Sequence, residues 1–73
     1  MKVLVTGATG FIGTILCDFL LDNGHSVNFL TMSAEDVKNG KSNLKGFLWD
    51  PSKNEIDLNC FKNVDSIVNL AGY

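Results

Sequence analysis

The sequence has only two cysteines, Cys17 and Cys60, in 73 residues. That excludes a disulfide-stapled scaffold, and no Cys/His set has the spacing of a zinc site, so no metal is expected. No apolar run approaches the roughly 18–20 residues of a membrane span. Met1 is not followed by a charged region and an apolar leader core; the chain passes straight into a short strand-like run. Basic residues are not in surplus either: 6 Lys+Arg stand against 8 Asp+Glu, a net charge of −2. A nucleic-acid or anionic-membrane binder would show a basic stripe, so neither partner is expected. A reducing, cytoplasmic setting is the reading that remains. Length is scarce as well. Domains usually need about 100–200 residues, and a unit of this size buries only roughly 60% of the surface its unfolded chain exposes. With no staple and no metal, such a unit is expected to be marginally stable. The hydrophobic fraction of 45% is nevertheless that of a globular chain.

What is present is an alternation of strand and helix signals. Val3-Leu4-Val5 is a continuous apolar run, suited to a strand covered on both faces of a parallel sheet. Glycines at 7, 10 and 13 follow at once. Ile12, Ile15, Leu16, Phe19 and Leu20 then recur at helical spacing and predict a helix over Ile12–Asn23 with that stripe as its buried face. Asn23-Gly24 ends it. Residues 26–31 read as a second strand, Ser33 as the cap of a short turn over 34–38, and 39–45 as loop. Residues 46–49 form a short third strand, and Asp50-Pro51-Ser52 a turn. In 52–63, Ile56, Leu58, Cys60 and Phe61 tuck under a loop or one helical turn, and 65–70 is a fourth strand. Strand–helix–strand units with these connections imply parallel pairing and a right-handed crossover.

Thr6-Gly7-Ala8-Thr9-Gly10-Phe11-Ile12-Gly13 lies between the buried strand and the amphipathic helix. That context separates a dinucleotide fingerprint from a chance cluster of glycines. Gly7 suits the tight turn out of the strand, Gly10 the close approach of a pyrophosphate, and Gly13 the packing of helix on strand. The positive end of the helix faces the phosphates, so the loop needs no cationic side chain. Gly13-Thr14 has no lysine before the hydroxyl, which excludes a Walker A loop. The alternative is a tight strand-to-helix turn that binds nothing.

The stretch Thr6 to Gly13 resembles the phosphate loop of extended short-chain dehydrogenases/reductases, the NAD(P)-dependent epimerase/dehydratase group. Asn69-Leu70-Ala71-Gly72 resembles that family's motif at the end of the fourth strand. Trp49-Asp50-Pro51 with Val64 to Gly72 resembles a narrower subgroup described as sugar-nucleotide-epimerase-like or cell-division-inhibitor-like. The resemblance spans the whole chain, closely at both ends and loosely in 33–46 and 52–63. It implies an α/β fold: the N-terminal part of a Rossmann domain, residues 1–73, a doubly wound parallel sheet with strand order 3-2-1-4. It further implies that Gly7, Thr9, Gly10 and Gly13 hold the pyrophosphate, with backbone donors from Phe11 and Ile12. Asp50 matches a position that contacts the adenine amino group, and Leu70, Ala71 and Gly72 line the cofactor. Thr31, Met32 and Ser33 stand where NAD and NADP are told apart. No acid occupies that strand end, and Glu35 and Asp36 come a turn later. Hydroxyls of Thr31 and Ser33, with Lys38 or Lys41 reaching in, lean the cofactor toward NADP over NAD. Met32 departs from the subgroup, which tends to carry Arg there.

Plainer roles stand beside these. Asp50 also suits an ordinary turn before Pro51. Trp49 reads as a core or edge aromatic, and Asn69 as a tie from the strand end to a neighbouring backbone group. Phe11 and Ile12 read as packing residues at the helix start. Oxidoreductases of the family use a Tyr-x-x-x-Lys pair as acid/base, and none occurs here; Tyr73 is the sole tyrosine. No catalytic residue is therefore assigned. The expected protein is a truncated cofactor-binding portion of an epimerase/dehydratase-like oxidoreductase acting on a nucleotide-sugar or related small molecule. The alternatives are a non-catalytic, redox-sensing dinucleotide module, and a flavodoxin-like α/β domain that binds another phosphate or none. One sheet face and the fourth-strand edge are expected to be bare and to drive self-association.

Overall fold

The computed structural model describes residues 1–8 and 10–70. Lys2–Thr6 forms β1, Phe11–Asp22 α1, Ser26–Thr31 β2 and Ala34–Lys38 α2. Leu44–Asp50 forms β3, Glu55–Ile56 β4 and Ser66–Asn69 β5, with a 3-10 turn at Leu58–Phe61 between the last two. The sheet order is β4-β3-β2-β1-β5. β1 pairs in parallel with both β2 and β5, and β2 with β3, while β3 and β4 are antiparallel. This is an α/β fold with a mixed, mostly parallel sheet, a partial Rossmann-like arrangement. The expected 3-2-1-4 order is its core, with β5 as the fourth strand of that series.

β4 is the element the sequence did not announce. Lys53 and Asn54 bond back to the carbonyls of Asp50 and Pro51, at 3.2 and 3.4 Å. Asn54 takes a left-handed φ of 56°, which asparagine tolerates better than most residues. The chain thus reverses and lays Ile56 opposite Trp49.

The apolar run of β1 divides between the two faces of the sheet. Val3 and Val5 pack with Val27, Ala8 and Cys17 under α1, and Leu16, Leu20 and Leu21 close over them. Leu4 points the other way and packs with Leu30 and Cys60, flanked by Phe47, Trp49 and Val64. Leu4, Val5 and Val27 are fully buried, each contributing about 1.5–3 kcal/mol through burial. The second face, expected to be bare, is covered at its centre by the 3-10 turn. Asn28, in the middle of β2, holds that turn down: its Nδ2 donates to the Cys60 carbonyl at 2.9 Å. The thiols of Cys17 and Cys60 are free, buried and in separate clusters on opposite faces. Burial first, then the nearby charges of Asp18 and Asp57 respectively, pushes both thiols up and keeps them protonated.

The rotation of α1 corrects the sequence reading. Gly13, Leu16, Cys17 and Leu20 face the sheet. Ile12, Ile15 and Phe19 of the expected buried stripe face outward, as does Phe11, which is 80% exposed. The helix is apolar nearly all round, so periodicity alone did not choose a face. The close contact of Gly13 with the backbone of Gly7 and Ala8 chose it. For the same reason Phe11 and Ile12 do not pack as helix-start residues. The helix ends as expected, with Gly24 at φ 80° and the amides of Gly24 and His25 bonded to the carbonyls of Leu21 and Leu20.

Candidate functional site

The parallel strands β1, β2, β3 and β5 all end on one side of the sheet, and nearly every residue singled out from the sequence lies there. β1 leaves the sheet through Gly7, whose φ of 75° is left-handed. The Gly10 amide then donates to the Gly7 carbonyl at 3.2 Å, closing a tight turn into α1. Thr14 secures the turn: its amide bonds the Gly10 carbonyl at 2.9 Å, and its hydroxyl lies 2.9 Å from the same oxygen.

The three glycines have different physical reasons. A Cβ at Gly13 would lie 2.2 Å from the Gly7 carbonyl oxygen, so the fold itself forbids a side chain there. Gly10 is different. Its backbone is extended, with φ −79° and ψ 175°, and among the described residues a Cβ would meet the Gly7 oxygen at 3.5 Å, an ordinary contact. Among the described residues nothing requires glycine at position 10, and the residue is exposed. It stands at the N-terminus of α1, which has no side-chain cap and no acidic residue in its first turn. The positive end of the helix is uncompensated there and suits an anion.

At the adjoining strand ends, Thr6 and Asn69 are register partners, and the Thr6 hydroxyl donates to Asn69 Oδ1 at 2.5 Å. Asn69 therefore ties the strand end to a side chain as well as through its β5 backbone. The Leu70 amide donates to the Thr6 carbonyl at 3.0 Å, which sets Leu70 beside the glycine turn. Thr9, Ala71 and Gly72 lie outside the described residues.

Thr31 closes β2, level with Leu48 of β3. It is buried, and its hydroxyl is already engaged: it donates to Asp36 Oδ2 at 2.8 Å and accepts the Ser33 amide at 3.0 Å. Met32 is exposed and lines an open hollow of about 640 Å³ with Leu48, Trp49, Asp50 and the β4 hairpin. Asp50 makes the turn expected of Asp-Pro: its Oδ1 accepts the Ser52 amide at 3.0 Å and the Ser52 hydroxyl at 2.6 Å. Trp49 packs in the second core cluster, as an aromatic of the core.

Neither of the two expected partners forms a hydrogen bond with the side chains of Thr31 or Ser33 among the described residues. Lys41 bridges to Leu44, at the start of β3. Leu44 pairs with Val27, and Thr31 lies four residues further along β2, about 13 Å away. Lys38 closes α2, whose far end approaches Leu44 through Gly40. The sequence reading also passed over Asp36 as lying a turn too late. The tight turn through Ser33 folds α2 back, so that Asp36 meets the last side chain of β2. An acid five residues after a strand-terminal threonine was the available signal. Among the described residues no cluster of His, Cys, Asp or Glu could hold a metal ion, and no helix is long and apolar enough to cross a membrane.

A tight glycine turn at the ends of parallel strands, leading into a helix N-terminus without a side-chain cap, fits the pyrophosphate of a dinucleotide. No solved structure matches the chain. Comparison with protein families matches residues 3–73 to the NAD dependent epimerase/dehydratase family. The match covers all of the chain but its first two residues, and the chain belongs to that family.

Proposed function

We propose that this chain is the cofactor-binding portion of an NAD(P)-dependent epimerase/dehydratase acting on a nucleotide-sugar or a related small molecule. In this reading the turn from Gly7 to Gly13 cradles the pyrophosphate, with the Phe11 and Ile12 amides as donors. The adenosine end runs across the ends of β2 and β3, by Thr31, Met32, Ser33 and Asp50. Leu70 and the following Ala71 and Gly72 border the other half of the cofactor. Hydride exchange with a substrate is the chemistry that the nicotinamide supplies when bound; this chain's residues bind and orient it. No Tyr-x-x-x-Lys pair is present in the sequence, so we assign no acid/base chemistry to these residues. Two buried thiols suit a reducing, cytoplasmic setting.

The observation that supports the reading is Gly10, a glycine that no packing among the described residues requires. Titration with NADH, followed by fluorescence, tests it. Gly10→Val should leave the circular dichroism spectrum and thermal midpoint nearly unchanged and weaken binding at least about tenfold. Unchanged affinity in a folded variant would refute the assigned pyrophosphate position.

The same reading includes self-association of the isolated chain. Phe11, Ile12, Ile15 and Phe19 form an exposed apolar stripe along α1, and Ile67 is exposed on the edge strand β5. Such surfaces are costly to leave in water. Sedimentation velocity should show dimers or larger species growing with concentration, whereas a monodisperse, cooperatively folding monomer would speak against it.

A further inference from the structure

We infer that Asp36 makes this site select NAD(H) over NADP(H). The inference rests on the dinucleotide reading above and deepens it. In folds of this topology the adenosine ribose is read at the end of the second strand, where an acid accepts from the 2′-hydroxyl and an arginine accommodates a 2′-phosphate. Here the strand ends in Thr31, which offers a phosphate no free hydroxyl. The Thr31 hydroxyl is donated to Asp36 Oδ2 at 2.8 Å, and its oxygen takes the Ser33 amide as well. What the strand end presents instead is the carboxylate of Asp36, held in place from α2. Its second oxygen is an acceptor suited to a ribose hydroxyl.

The surroundings reinforce the sign. Asp36 lines an open hollow of about 210 Å³ between the two helices, with Ala8 and Thr14 of the glycine turn and α1 on one side. Asp18 lines the same hollow, and no lysine does. The neighbouring hollow at the ends of β2 and β3 is lined by Asp50, Glu55 and Asp57, again with no lysine. The sequence contains no arginine at all, the residue whose planar fork best grips a phosphate. Lys41 bridges through its backbone to Leu44, which lines the Asp36 hollow at the start of β3, but Lys41 itself lines neither hollow. Lys53, in the turn between β3 and β4, bonds through its backbone amide to the Asp50 carbonyl and lines neither hollow. A 2′-phosphate would bring about two further negative charges to this rim; like charges facing each other with no cation between them weaken binding. Thr31 is a positioning residue in this scheme, and Asp36 the group that meets the ribose.

Parallel titrations of the whole chain with NADH and NADPH test the inference. The wild-type protein should bind NADH at least about tenfold more tightly. Asp36→Asn keeps an acceptor for Thr31 and removes the charge; it should bring the two affinities within about threefold, mainly by tightening NADPH. Thr31→Val should narrow the preference by a smaller factor, because Asp36 loses its anchor. Glu55→Gln, on the other hollow, should change the ratio little. A wild-type preference for NADPH, or equal affinities, would overturn the inference and leave the dinucleotide reading intact. An unchanged ratio in folded Asp36→Asn would overturn it likewise. Should that variant not fold, the wild-type ratio and Thr31→Val decide. Binding of neither cofactor to a folded sample would overturn the dinucleotide reading itself.

Discussion

Gly13→Ala should cost this protein more than about 3 kcal/mol, seen as a loss of folded baseline or a large drop in urea midpoint. The added Cβ would lie 2.2 Å from the Gly7 carbonyl oxygen, 2.6 Å from Ala8 Cα and 2.8 Å from Ala8 C. All three are backbone atoms, so no rotamer change relieves the overlap. Either α1 lifts from β1 or the glycine turn opens. Lifting α1 uncovers Val3, Val5 and Cys17, which the helix buries. Alanine's better helix propensity returns only about 1 kcal/mol. Domains of this size are stable by roughly 0.05–0.15 kcal/mol per residue, so the loss takes a large share of the total. Gly10→Ala is the matched control. Among the described residues its Cβ meets a single oxygen at 3.5 Å, and stability should stay within about 0.5 kcal/mol of the parent. Equal stability of the Gly13 and Gly10 variants would refute the close approach of α1 to β1.

Asn28→Ala should destabilise by about 2 kcal/mol in the same measurement. Asn28 is 3% exposed in the middle of the sheet, and Cys60 is fully buried. Their bond joins positions 32 residues apart and is the polar fastening of the 3-10 turn to the second face. Alanine leaves the Cys60 carbonyl buried without its donor and opens a small cavity. Asn28→Asp should be worse at neutral pH. It has the same size but sets a carboxylate against a carbonyl, away from water. Burial raises the folded pKa of such an acid above its unfolded value. The stability of that variant is therefore fullest below the unfolded pKa, near pH 4, and is lost as pH rises through the folded value. Parallel pH profiles of the two variants separate a lost hydrogen bond from a lost shape. An Asn28→Asp protein as stable as its parent at pH 7 would show that the Cys60 carbonyl does not depend on this donor.

Local signals carried well from sequence to structure. β2 and α2 occupy the residues read for them, 26–31 and 34–38, with Ser33 at the cap position although its side chain makes no cap bond. The glycine turn was legible because strand, glycines and helix are contiguous. Strand order was legible through the family's motifs at both ends of the chain. The face of α1 was not. Seven of its twelve residues are large and apolar, so several stripes satisfied the helical period. Gly13 held the answer, since its closest contact with the preceding turn points toward the sheet, and residues 16, 17 and 20 follow at helical spacing. β4 was missed because two residues carry too little period to register as a strand.

The sequence by itself determined the strand–glycine turn–helix unit and the apolar run that demands cover on both faces of β1. Both follow from neighbouring residues and from backbone conformations that few side chains permit. Only the tertiary structure decided the rotation of α1, the tethering of the 3-10 turn by Asn28, and the charge met at the end of β2. Each depends on a contact whose partner lies elsewhere in the chain or across a turn. For Asp36 the structure adds a contact that the sequence reading did not foresee. A threonine that looked ready for a phosphate is spent on a carboxylate, because the turn through Ser33 brings α2 back onto the strand end.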